Sequence, residues 1–244
     1  MSKPKNYTWP QIRTAGYDGF VVTFGDRLSE SANSAALAFR DSIEKAGWDG
    51  VEECSTSLVS SYLRFDPLLR AHDDMRAALE NLVKTRDWFA APLPSGRRLW
   101  RVPTVFGGAE APQFAEAAGM AGLSDQDAIA SIATTRVRVQ TIGFAPGMPY
   151  LGELSPEWDI PRQTELTPQV PAGGLCVAIR QLVLFPVPTP TGWRQIGQTA
   201  LTLFRPEAPD PFLLRPGDEV IFMPSPAAAL ANAENGGATW ELIT

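Results

Sequence analysis

A glycine- and proline-rich stretch, residues 141–199, is the sequence feature that most restricts how this chain can fold. It begins with GFAPGMPYLG at 143–152, continues to PAGG at 171–174 and closes with GWRQIGQT at 192–199. A helix cannot carry this density of glycine and proline, because proline lacks the N–H donor and glycine loses much backbone entropy on folding. The stretch therefore predicts rigid loops joined by short strands, and such loops often carry binding sites. Tight corners of a β-barrel with no further role would explain the same composition.

Charge and hydropathy exclude several classes of protein. The 244 residues are 44% apolar and 20% charged, which is typical of a globular protein, and the formal net charge is −6. No basic cluster exceeds Arg97-Arg98, so we expect no nucleic acid partner. The first residues are not followed by the apolar region of a signal peptide, and no apolar run approaches the roughly 20 residues that span a bilayer. A cytoplasmic protein without membrane contact is predicted.

The cysteines and the single histidine suggest no metal site. Cys54 and Cys176 match neither a zinc spacing nor a dense disulfide framework, and we interpret them as two buried thiols in a reducing compartment. His72 lies beside two aspartates near the predicted start of a helix, where acidic side chains complement the helix dipole. A solvated helix terminus is favoured there over a ligand site. Because no other histidine exists, the second half of the chain cannot run Ser-His-Asp or Cys-His chemistry by itself.

The first part of the chain follows the order strand–helix–strand–strand–helix–strand, which is that of a ferredoxin-like α+β unit. The segment Pro92–Gly96 precedes the last of these strands and is the predicted seam, giving domains 1–95 and 96–244. The predicted strands are 16–24, 51–54, 57–65 and 99–105, and the predicted helices are one that ends near Gly47 and one over 68–85.

The second part predicts two short helices followed by an all-β region with glycine and proline turns, which indicates a barrel. Ser124 is the predicted N-cap of the second helix. The apolar run 175–184 reads as a buried strand pair interrupted at Arg180-Gln181. The predicted helices are 112–121 and 125–133, and the further predicted strands are 137–142, 201–204, 219–223 and 240–243.

The run GFAPGMPYLG resembles the GFxPGFPYLG signature of the family that contains allophanate hydrolase subunit 1 and the B-type subunit of 5-oxoprolinase. This family includes kinase-inhibitor proteins and part of the urea carboxylase carboxyltransferase domain. The resemblance spans about the last 140 residues. It continues in order through Pro161-Arg162, Val170–Gly173, Gln181, Pro186, Gly192-Trp193, Ile196-Gly197, Thr199 and the turn Pro216–Asp218.

This resemblance implies a ferredoxin-like domain followed by a cyclophilin-like β-barrel. It also implies a heteromer, in which a companion cyclophilin-like subunit, similar to the C-type subunit of 5-oxoprolinase, shares a cleft with this chain. Together with a protein similar to the A-type subunit, the pair would use ATP to open 5-oxoproline, a small amide substrate, to glutamate. The implied activity is that of a hydrolase subunit that cleaves a lactam or amide C–N bond.

The matching motifs supply the candidate site residues. Arg162 is the candidate for anion contact and Gln181 for a neutral hydrogen bond, and these two are the candidate catalytic residues. A surface ion pair for Arg162 and a satisfied buried amide for Gln181 remain open alternatives. Trp193 is favoured as a packing anchor, and Tyr150 is balanced between packing and a pocket hydroxyl. The candidate substrate-binding or cleft residues are Gly143, Phe144, Pro146, Gly147, Tyr150, Gly152, Pro171, Gly173, Gly174, Trp193, Gly197 and Thr199.

The chain departs from the family pattern at positions that are usually polar, charged or aromatic. A His and a Tyr of the family align with Ile132 and Val137, and an Arg is missing at Leu166-Thr167. At three further positions, where the family has Ser, Thr and Arg, this chain has Gly174, Leu182 and Gln198. An apolar Ile132 cannot act as a general acid or base.

These departures leave two alternatives to a component of 5-oxoprolinase. An allophanate-directed hydrolase subunit differs only in substrate. A non-catalytic, kinase-inhibitor-like binding module would keep the loops and lose the titratable groups.

Overall fold

The computed structural model of the protein describes residues 8–231 and 234–243. The chain divides into two compact units, one ending at Pro94 and the other beginning at Ser95. Each unit has its own buried apolar core.

The first unit is a four-stranded antiparallel sheet with two helices. The order of strands across the sheet is β1-β2-β4-β3. Its elements are β1 (Gln11–Thr14), β2 (Gly19–Thr23), α1 (Glu30–Ala46), β3 (Val51–Ser57), β4 (Ser60–Phe65) and α2 (His72–Val83).

Helix α1 has the terminal chemistry that the sequence suggests. The Ser29 hydroxyl accepts a hydrogen bond from the Ala32 backbone N–H at 3.3 Å, and Gly47 ends the helix in the left-handed conformation. The buried face of α1 packs on the sheet, where Phe39 contributes to an aromatic core with Phe24 and Trp88.

Two predictions for this unit were wrong in detail. Helix α2 begins at His72 rather than at Leu68, because the Asp66 carboxylate accepts from the Leu68 N–H at 2.8 Å and forms a turn instead. His72 is half buried, with its ring 4.4 Å from that of Phe20, so it packs on the sheet rather than forming a solvated terminus.

The strand predicted at 99–105 does not complete this sheet. It lies within β5 (Arg97–Phe106), which pairs with strands of the second unit. The ferredoxin-like description of the first unit therefore stays a prediction.

Cys54 should make the first unit less stable as the pH rises into the alkaline range. It is half buried on β3, and burial, followed by the nearby Glu44, raises the pKa of its thiol from 9.0 to about 11. Between these values the unfolded chain loses the thiol proton first, so unfolding becomes more favourable as the pH rises. We expect the urea midpoint of the wild type to fall more between pH 9 and pH 11 than that of Cys54→Ala. Equal falls in the two proteins would contradict this assignment.

The second unit is a closed seven-stranded barrel with additional elements. The order around the barrel is β12-β9-β10-β7-β6-β13-β5, and pairing of β12 with β5 closes it. A further strand, β14, pairs with β5, while β8 and β11 form a separate ribbon. Besides β5, the elements are α3 (Phe114–Met120), α4 (Asp125–Thr134), β6 (Val137–Ile142), β7 (Pro149–Gly152), β8 (Thr167–Val170), β9 (Gly174–Ala178), β10 (Gln181–Leu184), β11 (Thr189–Thr191), β12 (Arg194–Gln198), β13 (Glu219–Pro224), α5 (Ala227–Leu230) and β14 (Thr239–Ile243).

Alternate residues of all seven barrel strands form one interior core, as the period of two along a strand requires. Helices α3 and α4 add apolar side chains to the same core. The strand residues of this core are Trp100, Val102, Val137, Val139, Leu151, Leu175, Val177, Leu182, Leu184, Ile196, Val220 and Phe222.

The α+β class with a β-barrel is confirmed, and so is the Ser124 N-cap of α4, whose hydroxyl accepts from the Asp127 N–H at 3.2 Å. The predicted strand 201–204 was wrong, since only Phe204 forms an isolated bridge, to Phe212. The run 175–184 is a strand pair, but its turn is at 179–180, one residue earlier than predicted. Within residues 8–231 and 234–243, no helix has the length and apolar character needed to cross a membrane.

Candidate functional site

The loop Gly143–Met148 carries the glycine-rich signature and connects β6 to β7. It is closed by two backbone bonds, from the Gly143 N–H to the Met148 carbonyl and from the Met148 N–H to the Ala145 carbonyl, both 3.0 Å. Gly147 has φ +77°, and a Cβ atom there would lie 2.9 Å from the Leu203 carbonyl oxygen. The loop is therefore packed against residues 203–204 and held in one shape.

Phe144 is the most unusual residue of this signature loop. Its φ is +71°, and 78% of the residue is exposed. A bulky residue with positive φ is a conformational outlier, and such strain is concentrated at functional sites. Pro146 is also exposed, so the outer side of the loop presents an aromatic ring and a proline.

The turn before β9 lies close to the end of β12. The Gly173 carbonyl accepts from both the N–H and the hydroxyl of Thr199, at 2.9 and 3.1 Å. At Gly174 a Cβ atom would lie 2.4 Å from Cγ1 of Val170, so the serine of the family pattern has no room here. Gly197 is similarly enclosed, with Cγ2 of Thr104 2.9 Å from its Cβ position. At these positions the turn before β9, β12 and β5 are closely packed. Pro171 is exposed beside them.

An apolar cluster on the outer face of the barrel connects the signature loop with the remaining aromatic candidates. We call it the outer cluster. Tyr150 packs against it half buried, its ring 6.2 Å from that of Trp193, so both aromatics serve packing. Burial raises the pKa of the Cys176 thiol within it, which keeps that thiol neutral. The outer cluster consists of Met148, Val170, Cys176, Ala178, Val183, Phe185 and Trp193.

Arg162 lies on the solvent side of the outer cluster. Its guanidinium carbon is 5.2 Å from the centre of the Trp193 ring, which is a cation–π contact. Among the residues that the structure describes, no carboxylate forms an ion pair with it. The alternative of a surface ion pair is therefore not what the structure shows, and the exposed charge remains accessible to an anion.

Gln181 lies elsewhere. It is 7% exposed, and its amide donates to Oε1 of Gln140 at 2.9 Å. Gly152, directly opposite in the sheet, leaves room for that pair, since its Cβ position is 3.0 Å from the same oxygen. Among the described contacts none joins Gln181 to Arg162. A buried, hydrogen-bonded amide matches the arrangement, and a catalytic role for Gln181 remains a prediction.

The apolar departures from the family pattern are part of the interior core. Ile132 is 1% exposed, and Val137 and Leu182 are fully buried. Val137 begins β6 and the signature loop follows its end, so about 17 Å of strand separates them. The replaced tyrosine position therefore lies at the far end of β6 from the signature loop.

The polar departures join a glutamine network that sequence reasoning missed. Gln198 donates to the Ala172 carbonyl at 2.7 Å and accepts from Gln195 at 3.1 Å. Thr167 accepts from Gln113 and Gln163, at 3.2 and 3.1 Å. No local pattern signals the bond from Gln113 to Thr167, because these residues are 54 apart in the chain.

Carboxylate, thiol and imidazole side chains do not converge in this site. Within the described part of the chain, no three His, Cys, Asp or Glu residues are grouped so that they could hold a metal ion. The candidate site therefore consists of a strained loop, a buried apolar cluster and one exposed guanidinium.

One known protein family matches most of this chain. The family model described as "Carboxyltransferase domain, subdomain C and D" matches residues 10–214, which is more than half of the chain. The chain belongs to this family. The B-type subunit of 5-oxoprolinase from Bacillus subtilis (strain 168) is 31% identical over 220 residues, covering 87% of this chain and 92% of that protein.

Two solved structures have a similar fold. The crystal structure of TTHA0988 is 30% identical with a TM-score of 0.71, and the match covers 89% of this chain and 40% of that one. The urea carboxylase of Kluyveromyces lactis matches 99% of this chain and 25% of its own, with a TM-score of 0.69. At 15% identity, this second likeness shows the fold alone. The chain thus corresponds to part of these longer proteins.

Proposed function

We propose that this chain is the B-type subunit of an ATP-dependent amidohydrolase of the 5-oxoprolinase type, which opens 5-oxoproline to glutamate. The observation that carries the proposal is the 31% identity to a B-type subunit of 5-oxoprolinase, over 92% of that protein. The accessible guanidinium of Arg162 supports it, because 5-oxoproline and the phosphorylated species that ATP would form are anions.

A lactam carbonyl is a poor electrophile. Phosphorylation activates it, and hydrolysis then opens the ring. On this chain, Arg162 would hold a carboxylate or a single phosphate, oriented by the ring of Trp193. Arg162 is the only charged residue among the candidates, whereas a triphosphate needs several cationic or N–H groups. We therefore place ATP binding on a partner, and assign this chain to substrate binding in a shared cleft.

The proposal includes two partners and a location. A companion barrel subunit would form the other wall of the cleft, and a protein similar to the A-type subunit would complete a cytoplasmic enzyme. An allophanate-directed hydrolase would use the same parts, so the assay includes allophanate as a second substrate.

A specific observation favours a second candidate, a non-catalytic binding module of the kinase-inhibitor type. The positions at which the family has a histidine and a tyrosine are Ile132 and Val137, buried in the barrel core. Neither can transfer a proton, so this chain lacks acid–base groups at the two positions where the family pattern has them.

Hydrolysis of ATP by the chain alone, and by its mixture with the two companion subunits, separates the candidates. Stimulation by 5-oxoproline only in the full mixture is the expected result. Binding to the companion barrel without stimulated turnover would instead support the binding module. Activity of the chain alone would contradict the placement of ATP binding on a partner.

Substitution of Arg162 by alanine should lower kcat/KM of the mixture for 5-oxoproline about a hundredfold, because the anion loses its charged partner. Assembly, followed by size-exclusion chromatography, should not change. The matched control is Arg40→Ala, which removes a guanidinium from an i,i+4 ion pair with Glu44 on α1. Normal turnover of Arg162→Ala would remove this residue from the mechanism.

A further inference from the structure

The segment that carries Arg162 is held on both sides by residues at or just before the start of β12. The Gln163 N–H donates to the Gly192 carbonyl at 2.7 Å. On the other side, the Arg194 guanidinium donates to the Pro161 carbonyl at 2.6 Å and is itself 2.7 Å from the Glu116 carboxylate. The backbone at 161–163 is therefore held at the position where β12 begins.

The Gln163 side chain adds a direct bond to the backbone of Trp193, the residue whose ring lies beneath Arg162. Its amide nitrogen donates to the Trp193 carbonyl and to the Thr167 hydroxyl, both at 3.1 Å. Its amide oxygen accepts from Gln113 at 2.6 Å. Because both ends of its amide are hydrogen-bonded, the Gln163 side chain holds one orientation. Gln163 directly follows Arg162 in the chain, so it joins the backbone next to Arg162 to Trp193, on which Arg162 stacks.

Gln113 connects this arrangement to the barrel. Its side-chain oxygen accepts from the Gln195 N–H at 2.8 Å, and its own N–H donates to the Gln195 carbonyl at 3.3 Å. Gln195 is a buried residue of β12, and the Gln113 carbonyl accepts from Ala117 in the first turn of α3. Gln113 is thus attached to a strand and to a helix before its amide reaches Gln163.

We propose that Gln163 is a positioning residue that keeps the Arg162 guanidinium on the face of Trp193, and that Gln113 fixes the orientation of Gln163. An arginine is usually held in place by a carboxylate, which also neutralises its charge. Here the orientation comes from a ring and from neutral amides, so the charge stays available while the rotamer is set before an anion arrives. The identity of that anion rests on the proposed function, whereas the positioning does not.

The positioning can be measured on the chain by itself. Protons above an indole face are shifted upfield by its ring current, so we expect upfield side-chain NMR signals for Arg162, assigned by their absence in Arg162→Lys. These signals should move to ordinary positions in Gln163→Ala and, to a smaller extent, in Gln113→Ala. They should persist in the control Gln126→Ala, which removes an exposed glutamine of α4. An unchanged Arg162 signal in folded Gln163→Ala overturns the proposal. If Gln163→Ala does not fold, an unchanged signal in Gln113→Ala overturns it instead.

A double-mutant cycle in the assembled mixture tests whether the positioning matters for turnover. We expect Gln163→Ala to raise KM for 5-oxoproline about tenfold, with a smaller change in kcat. If Gln163 acts through Arg162, adding Gln163→Ala to Arg162→Ala causes no further loss, whereas independent effects would multiply. Multiplying losses therefore overturn the proposal. A wild-type mixture without stimulated hydrolysis refutes the proposed function instead, and the NMR measurement then decides the positioning alone.

Discussion

The substitution Gly173→Ala is expected to lower the free energy of unfolding by about 3–5 kcal/mol, because two unfavourable effects coincide. Gly173 has φ +77°, which an alanine adopts at a cost of roughly 1–2 kcal/mol. The new Cβ atom would also lie 2.2 Å from the Thr199 carbonyl oxygen, which is backbone and cannot rotate away. Relief of this clash would break the bonds from Thr199 to the Gly173 carbonyl or from the Gly173 N–H to Phe185.

Gly122→Ala is the matched control for the backbone effect. Gly122 follows α3 with φ +71°, and nothing lies within 4 Å of its Cβ position. In urea titrations of both variants, Gly122→Ala should therefore cost only the left-handed conformation, about 1–2 kcal/mol. Equal losses of stability in Gly122→Ala and Gly173→Ala would show that the turn before β9 can move away from Thr199.

Replacement of Asp218 by alanine is the second change for which we expect a large effect, about 3–5 kcal/mol of stability. The carboxylate is 3% exposed and accepts from the backbone N–H groups of Arg98 and Arg215, at 3.1 and 3.0 Å. It also forms an ion pair with the guanidinium of Arg98, whose side chain is 13% exposed. Removal of the carboxylate leaves that positive charge buried without its partner and frees two N–H groups.

The control for Asp218→Ala is an exposed ion pair that also involves an arginine of β5. Glu241 pairs with Arg101 of that strand, and both side chains are at least 40% exposed. Glu241→Ala should change the midpoint of thermal unfolding little, because exposed pairs contribute at most about 1 kcal/mol. A similar, small shift for Asp218→Ala would contradict a stabilising role for the buried pair.

Strand and turn positions were predictable where local chemistry decides them. Proline and glycine exclude a helix from 141–199, and the structure has short strands there, from β7 to β12. Ser124 caps α4 as expected, since a cap and its N–H groups lie three residues apart. The strand at 99–105 was recognised and fell within the predicted domain 96–244, yet it was also counted as the last strand of the ferredoxin-like order, because strand partners are chosen by long-range pairing.

The family signature selected candidate loops, but not the surroundings of their individual side chains. Gln181 and Arg162 are equivalent as motif residues, yet one is a buried amide beside Gln140 and the other an exposed cation on Trp193. Likewise, Gln113 and Gln163 show no pattern in the sequence and form the network beside Arg162.

Caps, turns and the exclusion of helix thus depend on interactions over three or four residues, and the sequence alone can predict them. Burial, exposed charge and room for a side chain depend instead on atoms that folding brings together from distant parts of the chain. Gly197 illustrates the difference: its neighbours in sequence allow a larger side chain, but Cγ2 of the distant Thr104 lies 2.9 Å from its Cβ position and leaves no space for one.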